Sequence, residues 1–140
     1  MKSYMGNNNF VNIILDSDFI FGFFINVDSN YDKARKWYAE NSLNSNFILL
    51  NITKFEVITL VSRRYTQELA KNILSEMEVF NSQIFYVDER VDPEIWSEFN
   101  KYSKKNISLV DCANLVYARK LNAKIASFDK FYPSEILVQL

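Results

Sequence analysis

The sequence predicts an α/β fold: a three-layer α/β/α sandwich around a central, mostly parallel sheet of four to five strands. Three observations predict it. Short apolar runs recur at 11–15, 47–50, 84–87 and 124–127, and turn or polar residues bound them. Between them lie longer stretches with apolar residues at helical spacing, and strands that alternate with helices build parallel sheets through right-handed crossovers. Size is the third: 140 residues, 49% hydrophobic and 24% charged, describe one domain with a core.

Residues 1–9, with Asn7, Asn8 and Asn9 in a row, read as a polar leader that frays, which leaves 10–140 as the single domain. The run 11–15 is apolar except at Asn12, the pattern of a strand buried on both faces, and Asp16-Ser17-Asp18 ends it. A helix follows from Phe19. Phe19, Phe21, Phe23 and Phe24 fill it on nearly every side, so something must cover it; a dimer interface and the helices over 53–80 are the two recipients. A second helix, 30–41, carries Tyr31, Ala34, Trp37 and Tyr38 on one side and Asp32 in its first turn. After the strand at 47–50 come helices at 53–65 and 67–80, parted near Thr66. Beyond strand 84–87, Asp92 caps a helix with Pro93 at its first position, Trp96, Phe99 and Tyr102 on its apolar side, and lysines at its end. A helix over 108–121 leads into strand 124–127, and past Pro133 residues 136–140 make a last strand.

Composition removes several chemistries. The chain has no histidine, so the commonest general base and the commonest transition-metal ligand are missing. Its two glycines, Gly6 and Gly22, exclude a glycine-rich phosphate loop. The single cysteine, Cys112, has no internal partner and sits in an apolar helical stretch, which predicts a buried thiol and a reducing, cytoplasmic setting. The apolar run over 19–27 is far shorter than the roughly 20 residues of a membrane span, so no membrane association is expected. A net charge of -1 makes no global case for nucleic acid, but charge is uneven: Lys101, Lys104, Lys105, Arg119, Lys120, Lys124 and Lys130 face only Asp111 and Asp129 within 101–130. That stretch either guides a phosphate backbone or forms a solvated helix face.

Topology gathers the acids. Asp16 leaves the carboxyl end of the first strand, Glu56 lies in the opening turn of the helix after the second, Asp111 opens the helix 108–121, and Asp129 follows the last internal strand. Helices antiparallel to parallel strands begin at the strands' carboxyl edge, where open α/β sheets bind ligands, so all four carboxylates face one crevice. Each acid also has ordinary structural work available: Thr53 with Glu56 and Ser108 with Asp111 fit the capping box, Asp16 can cap a helix, and Asp129 can make an Asx turn before Phe131. Capping does not explain convergence. Two like charges 4 Å apart repel by about 4 kcal/mol at an effective dielectric near 20. A hard divalent cation relieves that, so magnesium or manganese is expected rather than zinc, which wants histidine or several thiolates.

Three blocks resemble the PIN domain, in particular the small VapC-like ribonuclease toxins: Ile14-Leu15-Asp16-Ser17-Asp18-Phe19-Ile20, Ile52-Thr53-Lys54-Phe55-Glu56-Val57, and Ile107-Ser108-Leu109-Val110-Asp111-Cys112-Ala113 continuing to Ala126-Ser127-Phe128-Asp129-Lys130-Phe131. The resemblance covers nearly the whole chain. It implies a metal-dependent endoribonuclease with Asp16, Glu56, Asp111 and Asp129 as the acidic quartet, catalytic and metal-ligating. Ser17 and Ser127 match hydroxyl positions of the family. Asn114, three residues after Asp111 and so on a neighbouring helical face, is a secondary residue for orienting water or substrate, and Lys104, Lys105 and Lys130 of the basic stretch are weaker RNA contacts. Magnesium-activated water would leave 5′-phosphate and 3′-hydroxyl ends. The toxins imply a homodimer and a cognate antitoxin. Where the family has a further acid, this chain has Phe131 and Tyr132, and Asp18 either joins the site or faces solvent. Two other readings stand beside this one. Asp16-Ser17-Asp18 after an apolar strand also resembles the nucleophile motif of haloacid-dehalogenase phosphatases, and a non-catalytic PIN-like module would bind RNA or protein without cleavage.

Overall fold

A computed structural model describes residues 10–140; the leader expected over 1–9 lies outside the described residues. Four strands form one parallel sheet: β1 (Val11–Leu15), β2 (Ser45–Leu50), β3 (Gln83–Phe85) and β4 (Lys124–Ala126), in the order β3-β2-β1-β4. Six helices connect them: α1 (Ser17–Phe24), α2 (Tyr31–Asn41), α3 (Asn51–Arg64), α4 (Gln67–Glu76), α5 (Asp92–Phe99) and α6 (Leu109–Leu121). The fold is the predicted α/β/α sandwich.

Period-two alternation divides the core. Ile13, Leu15, Phe47, Leu49 and Ala126 point to the layer of α1 to α4, while Ile14, Ile48, Leu50 and Ile125 point to that of α5 and α6. Both faces being covered, β2 is buried along its whole length. Phe19 is sealed by Trp37 and Phe80, and Phe23 by Phe24, Tyr38 and Phe80. The aromatic helix α1 is thus covered from within the chain and needs no second copy for its burial. Cys112 is buried in the other layer, as expected.

Several boundaries differ from expectation for identifiable reasons. Helix α1 starts at Ser17 rather than Phe19, because Asp16 is its cap. Asp92 opens α5 instead of capping it; Val91 takes the cap position and Asp92 Oδ1 accepts from Trp96 Nε1 at 3.2 Å. That helix ends at Phe99, before the lysines. Strand β3 is shorter than 84–87 because Val87 N is taken by Asn51 Oδ1 at 2.9 Å. The last strand expected over 136–140 reduces to one parallel bridge, Ile125 to Leu137, preceded by a 3₁₀ turn at Ser134–Ile136. No helix among the described residues is long and apolar enough to cross a membrane.

Candidate active site

Asp16 sits where β1 passes into α1, and its extended backbone lets the side chain cap the helix: Ser17 N donates to Oδ1 at 2.8 Å. Capping is only part of its surroundings. The residue is 2% exposed and accepts from Asn114 Nδ2 (3.1 Å) on the same oxygen, and from Ser127 Oγ (2.8 Å) and Tyr132 OH (3.2 Å) on the other. These donors come from α6, from the end of β4 and from the loop beyond it, so sheet order alone brings them to Asp16.

Asp111 divides its two oxygens. Oδ2 accepts from Ser108 N at 3.0 Å while Ser108 Oγ accepts from Asp111 N at 3.0 Å, the predicted capping box. Oδ1 instead accepts from Tyr132 OH at 3.3 Å. The capping box expected at Thr53 and Glu56 does not form, because α3 begins directly after β2 with Leu50 at its cap position. Glu56 therefore lies in the second turn of α3, not the first, and is released from backbone work. Its Oε2 is buried without a hydrogen-bond donor among the described residues, and the Ser17 side chain hydrogen-bonds the carboxylate. Asp129 makes the expected Asx turn, accepting from Phe131 N at 2.9 Å, while its own N–H donates to Ser127 Oγ at 2.9 Å.

Asp18 does not turn to solvent. Its carboxylate accepts from Phe128 N at 3.1 and 3.2 Å and lies 3.2 Å from Ser127 Oγ, the same hydroxyl that reaches Asp16. Spacing argues against this, since residues i and i+2 diverge on a helix, but Asp16 is an extended cap residue and that rule does not bind it. Tyr132, which the sequence marks only as standing where the family has a further acid, turns out to sit in the cluster itself. It is 2% exposed and its hydroxyl stands between Asp16 and Asp111 while accepting from Asn114 Nδ2 at 3.3 Å. No spacing in the sequence announces a loop tyrosine as a bridge between two distant acids.

Packing carboxylates together has the expected electrostatic result. Burial, then the charges of Asp18 and Asp111, push Asp16 up to about 8 against the hydrogen bonds that favour its ionised form. Burial likewise pushes Asp18 up to about 6, with Asp129 adding to it. Glu56 and Asp111 are raised in the same way, burial first and a neighbouring acid next. Among the described residues no group of three or more His, Cys, Asp or Glu is already set to hold a metal ion. Magnesium demands no such cage, because it keeps several waters and takes one or two carboxylates together with substrate phosphate. An all-oxygen donor set, an orphaned Glu56 oxygen and acids raising one another fit a hard divalent cation.

The lysines separate into two groups. Lys101 and Arg119 pair with Glu98, at 3.3 and 2.6 Å, and Lys120 pairs with Glu94 at 2.8 Å, as a solvated helix face would. Lys104, Lys105 and Lys130 line an open groove of about 610 Å³ whose wall includes Asp129 and Phe131.

A four-stranded parallel sheet with a carboxylate cluster at its carboxyl edge defines a class of α/β proteins that place acids at strand ends and helix starts. Residues 13–132 match the PIN domain model, and the chain belongs to the PIN-domain family, not to the dehalogenase-type phosphatases. Its fold is similar to that of VapC20 from Mycobacterium tuberculosis, a toxin that cleaves the sarcin-ricin loop: TM-score 0.80 and 17% identity, over 91% of this chain and 98% of that one. It is also similar to VapBC2 from Rickettsia felis, solved bound to a DNA fragment from its promoter: TM-score 0.62 and 14% identity, over 85% and 89% of the two chains. No curated protein matches the chain by sequence.

Proposed function

We propose that the protein is a metal-dependent endoribonuclease that hydrolyses RNA phosphodiester bonds in the cytoplasm, as the toxin of a toxin-antitoxin pair. The observation that carries this reading is the convergence of buried Asp16 with half-buried Asp18 and Asp111, joined through the Ser127 and Tyr132 hydroxyls and with half-buried Glu56 beside Asp111, where no cationic side chain among the described residues is hydrogen-bonded to any of them. Membership of the PIN family and the likeness in fold to an RNA-cleaving toxin support it.

Asp16, Glu56, Asp111 and Asp129 are the residues that would hold magnesium or manganese, with Asp18 beside them. A bound divalent cation supplies charge neutralisation at the scissile phosphate and activation of a water. The chain's own residues do the positioning. Asn114 Nδ2 and Ser17 N fix one oxygen of Asp16, and Ser127 and Tyr132 orient the other. The Ser108 capping box holds Asp111 Oδ2 and leaves Oδ1 to the Tyr132 hydroxyl that also reaches Asp16. Ser17 steadies Glu56, whose buried Oε2 has no donor among the described residues. A cognate antitoxin would cover this crevice, and a homodimer is the assembly such toxins adopt.

The test is incubation of cellular RNA with the purified protein in manganese, magnesium or chelator, beside Asp16→Asn and Asp111→Asn. Discrete fragments that need metal, carry 5′-phosphate ends and vanish in both variants are the expected result. A folded wild type that leaves RNA intact in every metal would sink the reading.

A further inference from the structure

Beside the acid cluster, the loop over 101–107 and the segment 129–131 enclose the 610 Å³ groove. Its chemistry is mixed. Lys104, Lys105 and Lys130 are exposed and, among the described residues, form no ion pair, whereas Lys101, Arg119 and Lys120 are spent on carboxylates. Its floor is aromatic and held in place. Phe131 is half-buried and meets Tyr102 edge-on at 4.9 Å between ring centroids, and Tyr132 at 5.2 Å. Tyr102 is tied by its hydroxyl to Glu98 Oε2 at 2.6 Å, and Tyr132 is tied to Asp16 and Asp111. Phe131 is therefore a ring fixed between two anchored tyrosines at the rim of the acids, with free ammonium groups around it.

Resting on the nuclease reading, we propose that this groove is a nucleotide subsite: Phe131 takes the face of one unpaired base next to the scissile bond, and Lys104, Lys105 and Lys130 take the flanking phosphates of single-stranded RNA. Three points select this occupant. Free cations beside an aromatic face are the combination that binds single-stranded nucleic acid, with the ring contributing through stacking and the lysines through counterion release. Sequence-dependent RNA recognition acts on splayed, unstacked bases that a duplex does not offer. The groove shares Asp129 with the acid cluster, so a strand lying in it runs directly into the cleavage position. The fixed ring also loses little freedom on binding, because Tyr102 and Tyr132 already hold it.

The experiment is fluorescence anisotropy of a labelled single-stranded RNA in chelator, where binding is read without cleavage, followed by cleavage of the same RNA in manganese. A set of RNAs with one abasic nucleotide at each successive position is bound to the wild type. One position is expected to lose at least about fivefold in affinity. Phe131→Ala should lose as much with the intact RNA and gain no further loss from the abasic one, while Phe131→Trp restores binding. Lys104→Ala with Lys105→Ala and Lys130→Ala should lower the slope of log affinity against log salt by about 2, and the remote, exposed Lys36→Ala should not. Equal binding of every abasic RNA by the wild type overturns the subsite without needing any variant, and so does a salt slope unchanged in the triple variant. If the subsite fails while the wild type still cleaves in metal, the nuclease reading stands; if binding behaves as stated and no metal gives cleavage, that reading falls alone.

Discussion

Two carboxylates in this protein are almost equally closed to solvent contact, one just beneath half-exposed cations and the other deep in the fold, and they are electrostatically opposite. Glu98 is 3% exposed and Asp16 2% exposed. Burial pushes the Glu98 carboxyl up, yet hydrogen bonds from Tyr102, Arg119 and Lys101 outweigh it and hold the group below its ordinary value. Asp16 accepts four hydrogen bonds to the three of Glu98, but from neutral donors, and acids surround it, so it stays raised to about 8. Burial therefore does not mark a functional acid. What sets Asp16 apart is a buried carboxyl to which the described residues supply dipoles and no cation.

The sharpest way to break this contrast is Asp16→Asn. RNA cleavage should fall by at least about a hundredfold, the scale on which one preorganised transition-state contact is lost, while metal-free stability at pH 8 stays level or rises because an uncompensated charge has gone. Cleavage rates and urea denaturation in chelator check both halves, and a strongly destabilised variant at pH 8 would refute the second.

The next largest effect is on pH dependence. Asp16 and Asp18 are raised from 3.8 to about 8 and about 6. Between those values the folded protein keeps protons that the unfolded chain has released, so metal-free stability falls as pH rises from about 4 to about 8. Denaturation at pH 5, 6, 7 and 8 in chelator should show it, with the part from 6 to 8 absent in Asp16→Asn. Glu98 has the opposite sign: its contribution is present above its unfolded value of 4.5 and is lost as pH falls through the lowered folded one.

Glu98→Gln should therefore cost about 2 kcal/mol near neutral pH, the scale of hydrogen bonds to a charged group, since its Arg119 and Lys101 partners are half-exposed and regain water. Chemical denaturation at pH 7 measures it, and it should leave metal-dependent cleavage intact if its role is structural. Smallest of all is Lys120→Ala, which breaks an exposed pair with Glu94 and should change stability by less than about 1 kcal/mol.

Much of this was legible from residue order. The strands at 11–15 and 124–127 and the helix ending at Leu121 read directly from apolar periodicity, and the position of Asp16 and Asp111 follows from parallel topology. What failed did so where long-range partners outrank local pattern. Thr53-x-x-Glu56 has capping-box spacing, but β2 runs straight into α3 and leaves no cap for it to fill. The strand expected over 136–140 has apolar residues enough, yet it pairs with Ile125 at one position only. The place of Asp18 stayed open between site and solvent, and Tyr132 read only as a replacement for an acid, because their contacts depend on Ser127 and Asp111, more than a hundred residues away in one case and on a separate helix in the other.

Ser127 and Tyr132 each carry one hydroxyl hydrogen but face two carboxylates: Asp16 or Asp18 for the serine, Asp16 or Asp111 for the tyrosine. Neither hydrogen can serve both neighbours at once. Each hydroxyl is thus a two-position rotor, and turning both away from Asp16 frees an oxygen there without moving a single heavy atom. Rearrangement of this kind is a torsion about one C–O bond, a local motion of the fast side-chain class rather than a backbone movement. The crevice can redistribute its hydroxyl hydrogens among Asp16, Asp18 and Asp111 at little reorganisation, and the sheet beneath it never has to open.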